Sequence, residues 1–273
     1  MVKTTGIRHH RLFGGISAAT LLGALMLPSM AASQTVQRTV FVHLFEWKWN
    51  DVAKECEEWL GPKGFAAVQI SPAQEHPVIT DAANPYPWWQ RYQPVSYALE
   101  SRSGSRQELA DMISRCNRAG VKVYADAVIN HMAGTGTPAG QGTAGTSFDP
   151  QQRQYPGVPY GPNDFHGQCD IDYSNVDSIR NCWIAGGLPD LKVETEYVRQ
   201  KIADHMNDLI SIGVAGFRID GGKHMRPEDL SAILAKVNNI GLAIDPNTGK
   251  PFHSKVERPY IFIEVIGAEP IRA

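Results

Sequence analysis

Short apolar runs alternate with segments of helical period along most of the chain. Residues 40–45 read as a strand, 52–60 as a helix that ends at Gly61-Pro62, and 66–70 as a second strand. Ser105 stands three residues before Glu108, the spacing of a capping box. Leu109, Met112 and Ile113 follow at helical spacing, and Gly120 stops this helix. Residues 121–128 read as a third strand, whose Val-Lys-Val-Tyr opening alternates before turning almost continuously apolar. The pattern then breaks. From about residue 132 to 189 the chain is rich in Gly, Pro, Asp, Asn and Tyr, too long for an ordinary strand-to-helix connection. The two cysteines within it favour a small irregular domain pinned by a disulfide, with room for a metal, over a disordered loop. Periodicity resumes with a helix over 194–212, a strand over 216–219, a helix over 227–239 that starts on Pro227, and a strand over 260–265.

Alternating strands and helices predict a parallel sheet with helices outside it, which fits both a doubly wound sheet and a closed barrel. No GxGxxG follows the first strand, so a dinucleotide site has no support. Polar residues gather at the carboxyl ends of several strands: Asp126 and Asn130-His131, Arg218 and Asp220, and Glu264. That is the arrangement of a barrel enzyme. The expected fold is therefore α/β, a (β/α)8 barrel cut after about its fifth strand, with an irregular second domain inserted after the third. In residues this gives 32–131 as the first part of the barrel, 132–190 as the insert and 191–273 as an incomplete continuation.

The amino terminus changes this picture. Lys3, Arg8 and Arg11 precede an apolar, small-residue stretch over 12–27 and the sequence Pro28-Ser29-Met30-Ala31, so residues 1–31 read as a secretory signal peptide. The protein is expected to be secreted and extracellular. No later apolar run approaches the roughly eighteen residues of a membrane span. The formal net charge is −2 over 273 residues. Losing the three basic residues makes the remainder more acidic, and no Lys/Arg cluster invites nucleic acid or anionic lipid. Cys56, Cys116, Cys169 and Cys182 all lie beyond the signal segment. In an exported chain they predict two disulfides, with three possible pairings. Trp47, Trp49, Trp88, Trp89, Tyr86 and Tyr92 sit in loops or near strand ends rather than at core spacing.

Arg218 and Asp220 are two apart on a strand and face the same way. An arginine there would lower the aspartate pKa and suit a nucleophile, although a structural ion pair has the same spacing. Glu264, in Phe262-Ile263-Glu264-Val265-Ile266, ends a strand in an apolar setting that would raise its pKa and suit a general acid. His131 and His224 could each donate to a ligand, bind a metal or cap a loop. Asn130 and Asp190 could join carbonyl groups around a hard cation such as calcium. Trp88-Trp89 could stack on sugar rings or pack as surface loop.

Six segments together carry a resemblance. They are Asp126-Ala-Val-Ile-Asn-His131, Leu188-Pro-Asp-Leu191, Gly216-Phe-Arg-Ile-Asp-Gly-Gly-Lys-His224, Phe262-Ile-Glu-Val-Ile266, Phe41-Val-His-Leu-Phe-Glu-Trp-Lys-Trp49 and Pro87-Trp-Trp-Gln-Arg-Tyr-Gln-Pro94. In this order and spacing the chain resembles α-amylases of glycoside hydrolase family 13, animal-type group. The resemblance implies endo-hydrolysis of α-1,4-glucan with retention, Asp220 as nucleophile and Glu264 as acid/base. Arg218 would orient the nucleophile and, in chloride-dependent members, bind chloride. His131, Tyr92 and Gln93 would line the sugar at the cleavage point, Trp88 and Trp89 the next one, and Lys223 and His224 the leaving-group side. Calcium would sit on Asn130, Asp190 and the carbonyls of Arg180 and His224, and the disulfides would join Cys56 to Cys116 and Cys169 to Cys182. The expected partner is an α-glucan, met by a monomer. Gly221-Gly222 departs from the small Ala or Ser pair usual in the family and is expected to loosen the turn. The family's third carboxylate has no counterpart up to Ala273, so the 273 residues alone are expected to be inactive. A non-catalytic glucan-binding homologue and another α-glucan-active hydrolase or transglycosylase of the same family remain as alternatives.

Overall fold

Five parallel strands form the sheet around which the chain is organised: β1 (Phe41–Leu44), β2 (Ala67–Ile70), β3 (Lys122–Ala127), β6 (Gly216–Ile219) and β9 (Tyr260–Ile263), hydrogen-bonded in that order. The computed structural model describes residues 37–184 and 187–267, so the signal segment read at residues 1–31 lies outside the described residues. Two short antiparallel hairpins accompany the sheet. One pairs β4 (Gly140–Gln141) with β5 (Ser147–Phe148), and the other pairs β7 (Ile244–Asp245) with β8 (Lys250–Pro251). The helices are α1 (Trp49–Glu55), α2 (Arg106–Arg118), α3 (Val176–Asn181), α4 (Glu196–Ser211) and α5 (Pro227–Ala235). This is the parallel strand-helix architecture expected of a barrel cut after five strands, with an insert after the third.

Strand pairing without slip aligns His43, Gln69, Tyr124, Gly216 and Tyr260 in one row, and Leu44, Ile70, Ala125, Phe217 and Ile261 in the next. Because side chains alternate between faces, the second row faces the helices, and Ile70, Ala125 and Phe217 are fully buried there. The other face holds an aromatic cluster, with Phe41 5.5 Å from Tyr124 and 5.3 Å from Phe262, and Tyr124 5.2 Å from Tyr260. One step along the strands, on that same face, stand Asp126 and its register partner Arg218. The sheet alternation thus carries apolar surface outward and delivers polar groups to one end of the inner face.

Element boundaries follow identifiable signals. Ser105 caps α2 in a full capping box with Glu108, as its spacing predicts, and Thr195 caps α4. The first helix starts three residues before its expected beginning and runs into a π-helical turn, Cys56–Leu60. Trp49 corrects the loop reading of the aromatics. It opens α1, donates its backbone N–H to Ser103 O, and is 1% exposed in the core. The helix from Pro227 ends at Ala235, four residues short of expectation, and the last strand stops at Ile263. Cys56 pairs with Cys116 and Cys169 with Cys182, the pairing the resemblance implied. Closing loops of 60 and 13 residues stabilises by about 4 and about 3 kcal/mol in the chain-entropy picture.

The insert buries apolar side chains, Phe148, Tyr155, Tyr160 and Phe165 among them, and is also held by buried polar groups. Glu75, wholly buried, accepts from Ser96 Oγ at 2.5 Å and from the backbone N–H groups of Ala144 (2.8 Å) and Thr146 (3.0 Å) in the β4–β5 hairpin. Beside it His76 is locked as a neutral tautomer. Its Nδ1–H donates to Pro77 O at 2.8 Å and its Nε2 accepts from Arg102 N at 3.2 Å. Protonating Nε2 would break the second bond in a desolvated site beside two guanidinium groups, so burial lowers the His76 pKa from 6.5 to about 4.

The consequence for stability has a definite sign. Below pH 6.5 the unfolded chain binds a proton that the folded chain refuses, so this contribution is complete above 6.5 and is lost as pH falls toward about 4. It amounts to at most about 3 kcal/mol. The ring protons of His76, followed by NMR, are expected to titrate near pH 4, and the urea midpoint of the protein is expected to fall more steeply over this range than that of His76→Gln. A His76 midpoint above 6 would contradict the assignment.

Candidate active site

The carboxyl ends of β3, β6 and β9 converge on one guanidinium. Arg218 Nη1 lies 2.7 Å from Asp126 Oδ1 and 2.8 Å from Asp220 Oδ1, and Nη2 lies 2.5 Å from Glu264 Oε1. The local sequence explains the geometry. Arg218 and Asp220 are two apart at the end of β6, Asp126 is the register partner of Arg218 on β3, and Glu264 follows the last residue of β9. Tyr92 donates its hydroxyl to Asp126 Oδ2 at 2.9 Å, and Gly221 N–H donates to Glu264 Oε2 at 3.0 Å.

Two expectations need correction here. Arg218 does not lower the Asp220 pKa below its ordinary value. Burial raises it, and His131 and Arg218 only oppose that rise. One positive charge is shared among three carboxylates, so none receives the full benefit. Asp126, whose side chain has no exposed surface, is pushed up to about 7 by burial against the same guanidinium. Nor is Glu264 in an apolar setting. Its carboxylate meets Arg218 and a backbone N–H.

Gly221 and Gly222 have different reasons for being glycine. Gly221 adopts a left-handed conformation, φ 57° and ψ 30°, which turns the chain from β6 into the short 3-10 turn Gly222–His224. A Cβ on Gly222 would fall 2.2 Å from Ile263 Cγ2. The pair makes the turn tight against β9 rather than loose, contrary to expectation.

A cleft of about 740 Å³ opens above these carboxylates, lined by Trp88, Trp89, Tyr92, Gln93, His131, Arg218, Asp220, Lys223, His224 and Glu264 among others. Every residue expected to touch substrate therefore meets in one place. Trp88 and Trp89 are 54% and 38% exposed, as flat apolar walls must be to stack on a ligand. Gln93 Oε1 accepts from Gly134 N (2.9 Å) and Thr137 Oγ1 (2.8 Å), so its carbonyl ties the insert to the cleft floor. His131 donates Nε2–H to Tyr92 O at 3.0 Å, and burial lowers its pKa. Lys223 Nζ donates to Ile266 O at 2.6 Å and stands 5.1 Å over the Tyr173 ring. His224 donates Nδ1–H to Ile179 O at 2.8 Å, which draws α3 and its Arg180 against the end of β6.

At the other side of that junction, Asn130 Nδ2 donates to Asp190 Oδ1 at 2.9 Å, and His166 Nδ1 lies 2.6 Å from Asp190 Oδ2. Asp190 is 1% exposed, and burial raises its pKa to about 6. Among the described residues no three His, Cys, Asp or Glu side chains gather as a metal cluster.

The sequence marks Asp126 only as one of the polar residues at strand ends, and does not mark Tyr173 or His166. Asp126 was within reach, since alternation on β3 places it on the inner face opposite Arg218. Tyr173 and His166 lie in the aperiodic insert, where no pattern marks them.

The comparisons with known proteins agree with this geometry. The family model described as "Alpha amylase, catalytic domain" matches residues 59–248. The chain belongs to the α-amylase family. It is 52% identical over 236 residues to an alpha-amylase of Hypothenemus hampei, covering 86% of this chain and 45% of that protein. It is 49% identical to human alpha-amylase 2B over 247 residues, 86% of this chain and 46% of the relative. Among solved structures it is similar to alpha-amylase I of Eisenia fetida, both the wild type (48% identity) and a Glu-to-Gln variant in complex with maltohexaose (47%). Each gives a TM-score of 0.77 over 86% of this chain and 47% of that one. The chain spans about half the length of the curated amylases it matches.

Removing the shared guanidinium should be costly in this amylase-family fold. Arg218→Ala leaves three neighbouring buried or half-buried carboxylates uncompensated and is expected to lose about 3–5 kcal/mol of stability at pH 8. Because Asp126 already has a raised pKa, proton uptake should shrink that deficit as pH falls toward 6. Urea denaturation of the variant at both pH values checks this, and a deficit that grows on acidification would contradict it.

Proposed function

We propose that the complete protein is a retaining α-amylase that cleaves internal α-1,4 bonds of starch-like glucans. The observation that carries this reading is the bridging of Asp220 and Glu264 by one guanidinium at the floor of an aromatic-walled cleft. Two carboxylates so joined suit the close pairing of retaining glycosidases, about 5 Å, better than the wider inverting arrangement. Asp220 attacks the anomeric carbon while Glu264 gives its proton to the glycosidic oxygen, and the bond between them breaks. In the second step Glu264 takes a proton from water, the water oxygen attacks the same carbon, and Asp220 leaves. Arg218, 2.8 Å from Asp220 Oδ1, favours the ionised nucleophile. Trp88 and Trp89 stack on the sugar rings. The maltohexaose complex of the Eisenia fetida variant supports a glucan of this kind as ligand.

Calcium fits the residues at the insert junction. A buried carboxylate whose pKa is raised by burial and an amide side chain beside it, joined by main-chain carbonyls, would form a hard oxygen donor set. Asn130, Asp190 and the carbonyls of Arg180 and His224 would hold the ion, and it would brace the insert at residues 132–190 on the barrel. For chloride, Arg218 is the one residue that the resemblance supplies. Both terminal nitrogens of Arg218 already face carboxylates, leaving a chloride ion to compete with them for the same guanidinium. Among the described residues no helix is long and apolar enough to cross a membrane. Secretion belongs to the same reading, supported by the two disulfides and by the pancreatic relatives, and a monomeric state is proposed with it.

Glu264→Gln in the complete protein is expected to lower kcat on soluble starch by roughly 10²-fold or more, with maltohexaose binding retained. Turnover above a tenth of wild type would overturn the acid/base role. Chelator treatment is expected to lower the melting temperature of the complete protein, and calcium to restore it. An unchanged melting curve in chelator would remove the metal from this reading.

A further inference from the structure

The insert contributes one side chain whose contacts all converge on the calcium junction. His166 is 17% exposed at its side chain, with Nδ1 2.6 Å from Asp190 Oδ2 and Nε2 3.0 Å from Glu194 Oε1. Its main chain is tied to the same place. His166 N–H donates to Asp190 O at 2.9 Å, and His166 O accepts from Trp183 Nε1 at 3.1 Å. Around it the segment 164–166 runs along 190–192, with Lys192 N–H donating to Asp164 O at 2.8 Å and Phe165 bridged to Leu191. Trp183 follows Cys182, which the disulfide joins to Cys169. Glu194 lies two residues before the start of α4. One imidazole thus connects the insert, the Asp190 carboxylate and the entrance to a barrel helix.

Asp190 is held from two sides. Asn130 Nδ2, at the end of the strand β3 segment, fixes Oδ1, and His166 Nδ1 fixes Oδ2. A carboxylate with both oxygens anchored cannot turn about its last bond, and its orientation is set before any ion arrives. Groups in this position orient a metal ligand without touching the metal, and their loss typically costs 10- to 100-fold in affinity.

We propose that His166 is a positioning residue for calcium: through Nδ1 it orients the Asp190 carboxylate toward the ion, and through Nε2 and Glu194 it anchors that orientation to the barrel. This rests on the calcium reading above. The role belongs to the insert, not to the barrel, so the insert helps to build the site that braces it.

The test separates the two ring nitrogens. In the complete protein, stripped of metal and titrated with calcium against a competing chelator dye, His166→Asn keeps a donor at the Nδ1 position and His166→Gln keeps one at the Nε2 position. His166→Asn is expected to bind calcium within about threefold of wild type, and His166→Gln and His166→Ala roughly 10- to 100-fold more weakly. A packing role alone would not separate Asn from Gln, so the contrast holds even if the Ala variant does not fold. Equal losses in Asn and Gln, or affinities within about threefold of wild type in both, would overturn the proposal. Asp190→Asn distinguishes the underlying reading. If wild type binds no calcium, or Asp190→Asn binds it as tightly as wild type, the calcium site itself is wrong; if Asp190→Asn loses calcium while every His166 variant keeps it, only the role of His166 fails.

Discussion

The Arg218 guanidinium is the constraint on which the site depends. It faces Asp126, Asp220 and Glu264, which arrive on three different strands, so the relative register of β3, β6 and β9 is felt at a single group. A slip of one residue in any of these strands would turn its carboxylate to the helix face. The aromatic cluster of Phe41, Tyr124, Tyr260 and Phe262 fills the same inner face one layer below. Apolar packing beneath and ion pairing above therefore specify the same strand alignment.

The same sharing shapes the electrostatics. A buried arginine with one carboxylate partner would depress that partner's pKa. With three, burial outweighs the attraction at Asp126 and Asp220, and both are raised. Three carboxylates to one guanidinium suit the proposed reaction, whose transition state gains positive charge at the anomeric carbon. Asp126, bonded to Tyr92 as well as Arg218, also fixes the aromatic wall relative to the carboxylates.

The insert joins the same apolar core through Phe148, Tyr155 and Phe165, and adds buried polar contacts to it. These are Glu75 on the β4–β5 hairpin, Gln93 on Gly134 and Thr137, His224 on α3, and Asp190 between Asn130 and His166. Each such group is costly when unpartnered, so these contacts specify the seating more sharply than general hydrophobic burial would. Cleft residues come from both parts, with Thr137, Tyr173 and Leu188 supplied by the insert.

The sequence by itself determined the strands and helices of the barrel, because their periods of two and 3.6 residues and their caps are local signals. Ser105 with Glu108, Pro227, and the pair Arg218 and Asp220 each state their role within a few positions. The family resemblance extended this to the cleft residues and the cysteine pairs. Charge balance could not be read this way. The spacing of Arg218 and Asp220 is visible in one dimension, but Asp126 and Glu264, more than forty residues away on either side, decide how that arginine is shared. Burial, which raises Asp126, Asp220 and Asp190, is a property of the assembled layers. His166 reaches Asp190 and Glu194 only because an aperiodic segment folds back along 190–192, a contact between distant residues that no local pattern encodes.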